Sequence, residues 1–533
     1  MKNTVFNITR GVYGAMLGII FAFLICLQSV KYACKIDFIF PNIGIFVCVI
    51  AVFLLMYFLF TELRKRNFLK FLSFDFDKAV KILTCILFIA QIYISFNIIF
   101  DTGWDSGAIT GAARLLASGN SEGAFANYPF SIYPNNLFLL FVETFFIKLN
   151  DAFGVFLDRQ SLMGIVIVNC IINSFACYLI YKSVSLYIEK SFALLGFLLG
   201  VALFGLSPWI VICYSDSFGL LFPVLSFWLF FKPSKSTVSK CINLSLAVFT
   251  GCLGYFIKPQ CAIMLIALII IGLIYNFRLK DKKVLLKSGV SAICLILSFL
   301  IIKTGISTTC KRFNYNPEPD KKFGMTHFLM MGLNPDRGGV YSDQDVAYSD
   351  SFTNPKERQK ANIDCFTKRL KTMGPIGYAK YLTKKTLTVY NDGTFAWGVE
   401  GSFYVYVPEN PNTKASRLLR GIYYTNEQGI YSKYFALFEQ TVWITVILFA
   451  VLAVFTRSSD KNKMALAALM LTIIGLTVFE WLFEARARYL YTCAPIYCIL
   501  AAFGIKNAFN FVNNGVAVFK SKLAEKGKFQ TEQ

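Results

Sequence analysis

Residues 82–120 read ILTCILFIAQIYISFNIIFDTGWDSGAITGAARLLASGN. The first half, Ile82 to Phe100, is about nineteen residues of almost unbroken hydrocarbon, long enough to cross a bilayer as a helix. It ends abruptly in Asp101 and Asp105, with Trp104 beside the second, and passes into a small-residue run that carries Arg114. Tryptophan favours the membrane–water interface and carboxylates avoid hydrocarbon, so this junction marks a helix leaving a membrane.

The rest of the chain supports that reading. Its 533 residues are 56% hydrophobic and only 16% charged, whereas soluble domains carry roughly 25% charged residues. Apolar runs of spanning length recur, and they define an all-α polytopic membrane protein with about twelve spans. The net charge of +22 does not indicate nucleic acid. Lys and Arg sit in short links between apolar runs, as the positive-inside rule requires, and no nucleic-acid-binding motif is present. The fifteen cysteines lie mostly inside apolar runs, where they behave as small hydrophobes. No CxxC pair occurs and His327 is the sole histidine, which argues against a zinc site. Cys310 and Cys365 stand in the large hydrophilic region and are candidates for a disulfide. The first apolar run, about 11–34, is too long for a signal-peptide core and is expected to be retained.

Charge bias orders the spans. Residues 1–81 supply two N-terminal spans and the basic link RKRNFLKFLSFDFDKAVK, which is expected to be cytoplasmic. Residues 82–305 form a core of spans with a first outer loop at 101–160. The segment YPNNLFLLFVETFFIKL (133–149) is read as a helix lying in the outer interface. With that segment not crossing, Lys182 with Lys190, KPSKSTVSK, FRLKDKKVLLK and RSSDKNK all fall inside. Residues 306–437 then form a large extracytoplasmic region, 438–510 the last spans, and 511–533 a basic cytoplasmic tail. The protein is expected in the cell membrane, with its unusual polar residues on the extracytoplasmic face.

Those residues define the candidate chemistry. A carboxylate at a partly dry interface serves well as a general base, which suits Asp101 or Asp105; as a bland alternative, either caps the helix that follows. Lys258, in GYFIKPQ, and Arg486 and Arg488, in FEWLFEARARYLYTCAP, stand where the charge bias disfavours them. Arginine in that position suits a phosphate or carboxylate in fork geometry, or else pairs internally with Glu480 or Glu484. Arg114 is either a solvated helix residue or a partner for an anion. No P-loop, no GxSxG and no nucleotide fold is visible. An enzyme working on the outer face cannot reach cytosolic nucleotide sugars, so it must take an activated group from a lipid carrier.

The stretch DTGWDSGAITGAARLLASGN with YPFSIYPNN resembles the first outer loop of polytopic C-type (GT-C) glycosyltransferases. The likeness is to the bacterial branch related to protein O-mannosyltransferases and aminoarabinose–lipid A transferases, the family 39-like group. LSPWIVICYSDSF, THFLMMGLNPDRGGVYSDQD, NDGTFAWGVEG and EARARYLYTCAP follow in the family's order over most of residues 82–510. The resemblance implies a GT-C-like bundle of about twelve transmembrane helices with two large extracytoplasmic loops. It also implies a polyprenyl-phosphate sugar donor and inversion at the anomeric carbon. Many members carry Asp-Glu where this chain has Asp105-Ser106, so Asp105 matches best and Asp101 stays open.

On this reading Asp105 takes the proton from an acceptor hydroxyl, and Lys258 and Arg488, with Arg486 or Arg114, bind the donor phosphate. Asp216, His327 and Glu484 are candidates to position the sugar or acceptor, and Asp216 also a divalent cation. The acceptor is a glycan, a lipid or a protein. The alternatives from other classes are a flippase or transporter of lipid-linked oligosaccharide and a polymerase of the O-antigen type.

Overall fold

The computed structural model describes residues 2–27, 39–65, 75–153, 161–276, 282–400, 404–405, 411–457 and 460–531. The helices among them are α1 (Lys2–Cys26), α2 (Asn42–Lys65), α3 (Phe76–Ile98), α4 (Asp105–Ala117), α5 (Ser121–Ala126), α6 (Leu137–Phe153) and α7 (Ser161–Val184). There follow α8 (Lys190–Gly200), α9 (Ser215–Gly219), α10 (Leu221–Phe231), α11 (Thr237–Ile257), α12 (Ala262–Asn276), α13 (Lys282–Arg312), α14 (Met325–Gly332) and α15 (Asp343–Asp350). The chain continues with α16 (Pro355–Tyr390), α17 (Trp397–Glu400), α18 (Lys414–Tyr423), α19 (Ser432–Leu452), α20 (Asp460–Leu482) and α21 (Ala494–Thr531). Two short strands, β1 (Asp101–Thr102) and β2 (Tyr404–Val405), pair antiparallel and join the two hydrophilic regions.

Nine helical stretches among the described residues are long and apolar enough to cross a membrane. Three shorter apolar helices, Lys190–Gly205, Ser215–Phe231 and Pro259–Ile274, fall where the sequence reading put three further spans. Each of the three is interrupted. The first runs from α8 into a π-turn at Val201–Gly205, the second breaks between α9 and α10, and the third starts at Pro259, which has no N–H to donate. Broken backbone within a membrane protein survives where protein surrounds it. α1 begins earlier than the apolar run at 11–34 indicated, at Lys2, and the end of that run lies outside the described residues. Asp75 caps α3 by accepting from the backbone N–H groups of Asp77 and Lys78, so the span starts where the basic link ends. The 133–149 segment folds as the 3-10 turn Pro134–Asn136 followed by α6, which packs on α4 and is not among the spanning stretches.

α21 is the centre of the bundle. Residues Ile496 to Phe503 are at most 1% exposed, enclosed by α7, α8 and α19. Lipid tails are as apolar as leucine, so close packing and internal hydrogen bonds, rather than hydrophobic burial, hold such a bundle together.

The region expected as one outer loop, 306–437, is largely helical, and its middle is not a surface loop. α16 bends at Gly374–Pro375, and from Tyr381 its inner half enters the bundle. The aromatic stretch NDGTFAW (391–397), expected on the surface, is buried. Several of its groups are answered from other elements. The Trp443 indole donates to the Tyr390 carbonyl (2.7 Å), the Trp209 indole to the Thr394 carbonyl (3.1 Å), and the Gly393 N–H to Gln440 Oε1 (2.8 Å). Asn42 Nδ2 donates to Asn391 Oδ1 (2.8 Å), which ties in α2. Phe395 and Ala396 adopt left-handed backbone (φ 55° and 65°). The Asp392 carboxylate holds them there, accepting from Thr394 N and Oγ1 and from Ala396 N. The boundary read at 305/306 falls inside α13, and Cys310 and Cys365 are both free thiols.

Candidate active site

Polar side chains from four elements meet at the loop end of the bundle. The first is Asp105, at the start of α4. The Thr102 carbonyl folds back over that helix so closely that a Cβ at Gly107 would lie 1.7 Å from it; only glycine permits the turn. The turn leaves Asp105 exposed, and its Oδ2 accepts from the Tyr214 hydroxyl at 3.5 Å. Tyr214 and Asp216 come from the break after Pro208, where a 3-10 turn replaces the span. Lys258 ends α11 with an extended backbone, imposed by the proline that follows it.

Asp216 is the hub. It is fully buried, forms an ion pair with Lys258, itself only 4% exposed, and its other oxygen lies 3.8 Å from Arg488 Nε. The Arg488 guanidinium faces three rings, Trp104 at 4.4 Å, Tyr214 at 5.5 Å and Tyr489 at 5.5 Å. The Lys258 ammonium also lies over the Tyr489 ring, at 4.3 Å. Tyr489 OH donates to Glu484 Oε1 at 3.0 Å. Burial pushes the Glu484 carboxyl above its ordinary range, while Arg488, Arg486 and Tyr489 pull it back. Arg486 is half-buried and acts through that charge. Two cations and three carboxyl groups are thus gathered in an aromatic cage.

Other candidates lie elsewhere. Asp101 pairs with Arg114 at 3.3 Å, both about one-third exposed. Glu143 of α6 lies beside Thr110 and Arg114, and burial pushes its carboxyl up to about 8. His327 does not reach the site. Its ring is fully buried, Nδ1 meets Ser349 Oγ at 2.7 Å, and the Phe323 ring packs against it, tilted, at 4.4 Å. Burial lowers its pKa to about 4, so it is a neutral packing residue of the hydrophilic region.

Sequence reasoning missed the tyrosines. Burial raises Tyr128, Tyr133 and Tyr341 above the ordinary phenol value, and the charge of Asp105 adds to the rise in each. Tyr341 belongs to GGVYSDQD, so that part of the 306–437 region feels the charge of Asp105 and Glu484. The available signal was adjacency: Tyr214 precedes Ser215-Asp216, and Tyr489 follows Arg488.

Lys258 takes the Asp216 carboxylate, and no group of three or more His, Cys, Asp or Glu able to hold a metal occurs among the described residues.

The fold and the cluster define an all-α, multi-pass membrane protein with a charged site at one end of its bundle. Residues 4–509 match the family described as "Conserved hypothetical integral membrane protein", and the chain belongs to that family. No curated protein matches it. Among solved structures it is similar to the archaeal oligosaccharyltransferase AglB from Archaeoglobus fulgidus, in complex with an inhibitory peptide and a dolichol-phosphate. That match has 12% identity and a TM-score of 0.40, and covers 83% of this chain and 52% of that one, so this chain spans about half the length of AglB. It is also similar to ArnT from Cupriavidus metallidurans bound to undecaprenyl phosphate, at 11% identity and a TM-score of 0.33, covering 78% of this chain and 77% of that one.

Proposed function

We propose that the protein is a multi-pass glycosyltransferase of the cell membrane. It moves a sugar from a polyprenyl-phosphate donor to an acceptor hydroxyl on the extracytoplasmic face. The observation that carries this reading is the meeting of Asp105 with the Arg488–Asp216–Lys258 cluster in one aromatic cage. A base on one side and caged cations on the other suit an in-line displacement with an anionic leaving group.

The acceptor oxygen attacks the anomeric carbon and its proton passes to an Asp105 carboxylate oxygen. The bond from that carbon to the phosphate oxygen breaks, and polyprenyl phosphate leaves with the electron pair, so the configuration inverts. Asp216 aims Lys258 and Arg488, and these offset the charge that grows on the departing phosphate. The rings of Trp104, Tyr214 and Tyr489 exclude water and strengthen that interaction. Glu484 positions the sugar by accepting a hydrogen bond from one of its hydroxyls. A phosphate leaving group needs no general acid.

The test is a purified assay with radiolabelled polyprenyl-phosphate sugars and membrane-extracted glycans and lipids as acceptors. Transfer that disappears in an Arg488→Met variant supports the reading; donor binding without transfer to any extracted acceptor refutes it.

A further inference from the structure

The segment between α20 and α21, which carries Glu484, Arg486 and Arg488, is tied to the large hydrophilic region by a joint that the reaction above does not use. Lys385 of α16 is fully buried. Its ammonium donates to three backbone carbonyls: Gly332 at the end of α14 (2.6 Å), Trp481 (3.0 Å) and Phe483 (2.6 Å). An ammonium has three donors and no acceptor, so all its hydrogens are spent here. Tyr381, one turn earlier, donates to the same Gly332 carbonyl at 2.6 Å, and Ala485 N–H donates to the Gly339 carbonyl at 2.8 Å. The two backbones touch: a Cβ at Gly332 would stand 2.4 Å from the Phe483 carbonyl carbon and 2.6 Å from the Leu482 carbonyl oxygen. Carbonyls from the end of α20, which bears the negative end of a helix dipole, therefore face the Gly332 carbonyl with one buried cation between them. Only Glu484 to Ala487 separate this joint from Arg488.

We propose that Lys385 is a positioning residue for the donor-phosphate site, its ammonium clamping the end of α20 to the hydrophilic region and so setting where Arg488 and Glu484 stand. This rests on the phosphate role of Arg488 proposed above. The carboxyls acting on Lys385 are Glu480 of α20 and Glu484 of the segment that follows, and the Tyr381 ring lies 6.0 Å away on its own helix. Arg488 and Tyr489 follow on the 3-10 turn packed against α16, α14 contributes the Gly332 carbonyl, and Tyr13 of α1 lies beside Tyr390 further along. Burial pushes the amine down to about 7. A neutral amine has two hydrogens for three carbonyls, so the clamp loosens as pH rises through that value.

The test uses the full-length protein in nanodiscs, with Lys385→Met and Gly332→Ala. Two quantities are read: amide hydrogen exchange of residues 481–489, and affinity for undecaprenyl phosphate from about pH 6 to about pH 9. Exchange in that segment is expected to rise about tenfold in both variants with the α21 core unchanged, and Lys385→Met to bind about tenfold more weakly below pH 7. Wild type should lose affinity above about pH 7 and the Met variant should show a flat profile. Unchanged exchange in both variants, or a Met variant that keeps the alkaline loss, overturns the proposal. Faster exchange with unaltered phosphate affinity overturns instead the phosphate role of Arg488 on which it rests. If Lys385→Met does not fold, Gly332→Ala decides alone, since it opens the joint with Lys385 intact.

Discussion

Lys258→Met is expected to destabilise the protein by about 4 kcal/mol even without any donor. The figure follows from the environment of Asp216, which has no exposed surface, beside a lysine that is 4% exposed. Removing one member of a buried pair leaves an uncompensated charge and costs about 3–5 kcal/mol, whereas removing both is often close to neutral. Arg488, 3.8 Å from the second Asp216 oxygen, retains part of the compensation, which places the cost at the lower end. The methionine keeps most of the apolar stem but forfeits the contact with the Tyr489 ring, about 0.5–1 kcal/mol more. Four proteins form the cycle: wild type, Lys258→Met, Asp216→Asn and the double variant, unfolded in the same detergent at neutral pH without lipid phosphate. The double variant should recover to within about 1.5 kcal/mol of wild type, far less than the sum of the two singles. A Lys258→Met protein as stable as wild type, or a double variant whose loss equals the sum of the singles, would refute the view of Asp216 as the hub of the site.

Asp105→Asn keeps size but removes the basic oxygen, and should lower turnover with a polyprenyl-phosphate sugar by about 10²–10⁴-fold. Near-wild-type turnover counts against the assignment, and a comparable loss in Asp101→Asn alone would move the role to that residue. Single cysteines at the exposed Ser118 and Ser351, with Cys310 and Cys365 removed, should react with an impermeant thiol reagent in intact cells. Labelling only after permeabilisation would reverse the orientation and with it the choice of donor. His327 should make the hydrophilic region acid-sensitive. The unfolded histidine takes up its proton near 6.5 and the folded one near 4, so stability is lost as pH falls through that window. The loss should approach about 3 kcal/mol and flatten in His327→Asn; equal acid sensitivity in the variant would show that other groups are responsible.

Apolar length located the nine long helical stretches, because a bilayer of fixed thickness demands helices of fixed length. Charge bias, not length, read the segment at 133–149 as non-crossing, and α6 is not among the spanning stretches. Charge placed against the bias singled out Lys258 and Arg488, and the structure brings both to Asp216. Sequence could not say that Lys258 is already paired, nor choose between Asp101 and Asp105. Those outcomes depend on side chains 42 residues apart in one case and 13 in the other. The burial of NDGTFAW was equally illegible. Its polarity reads as surface, and it enters the bundle only because Trp209, Trp443, Gln440 and Asn42 supply the hydrogen bonds that lipid cannot. Lys385 looks like one more basic residue of a basic helix until three carbonyls from two other elements converge on it. Local periodicity and charge determine which segments cross; which polar groups meet at their ends is a property of packed, broken helices, and only the tertiary structure decides it.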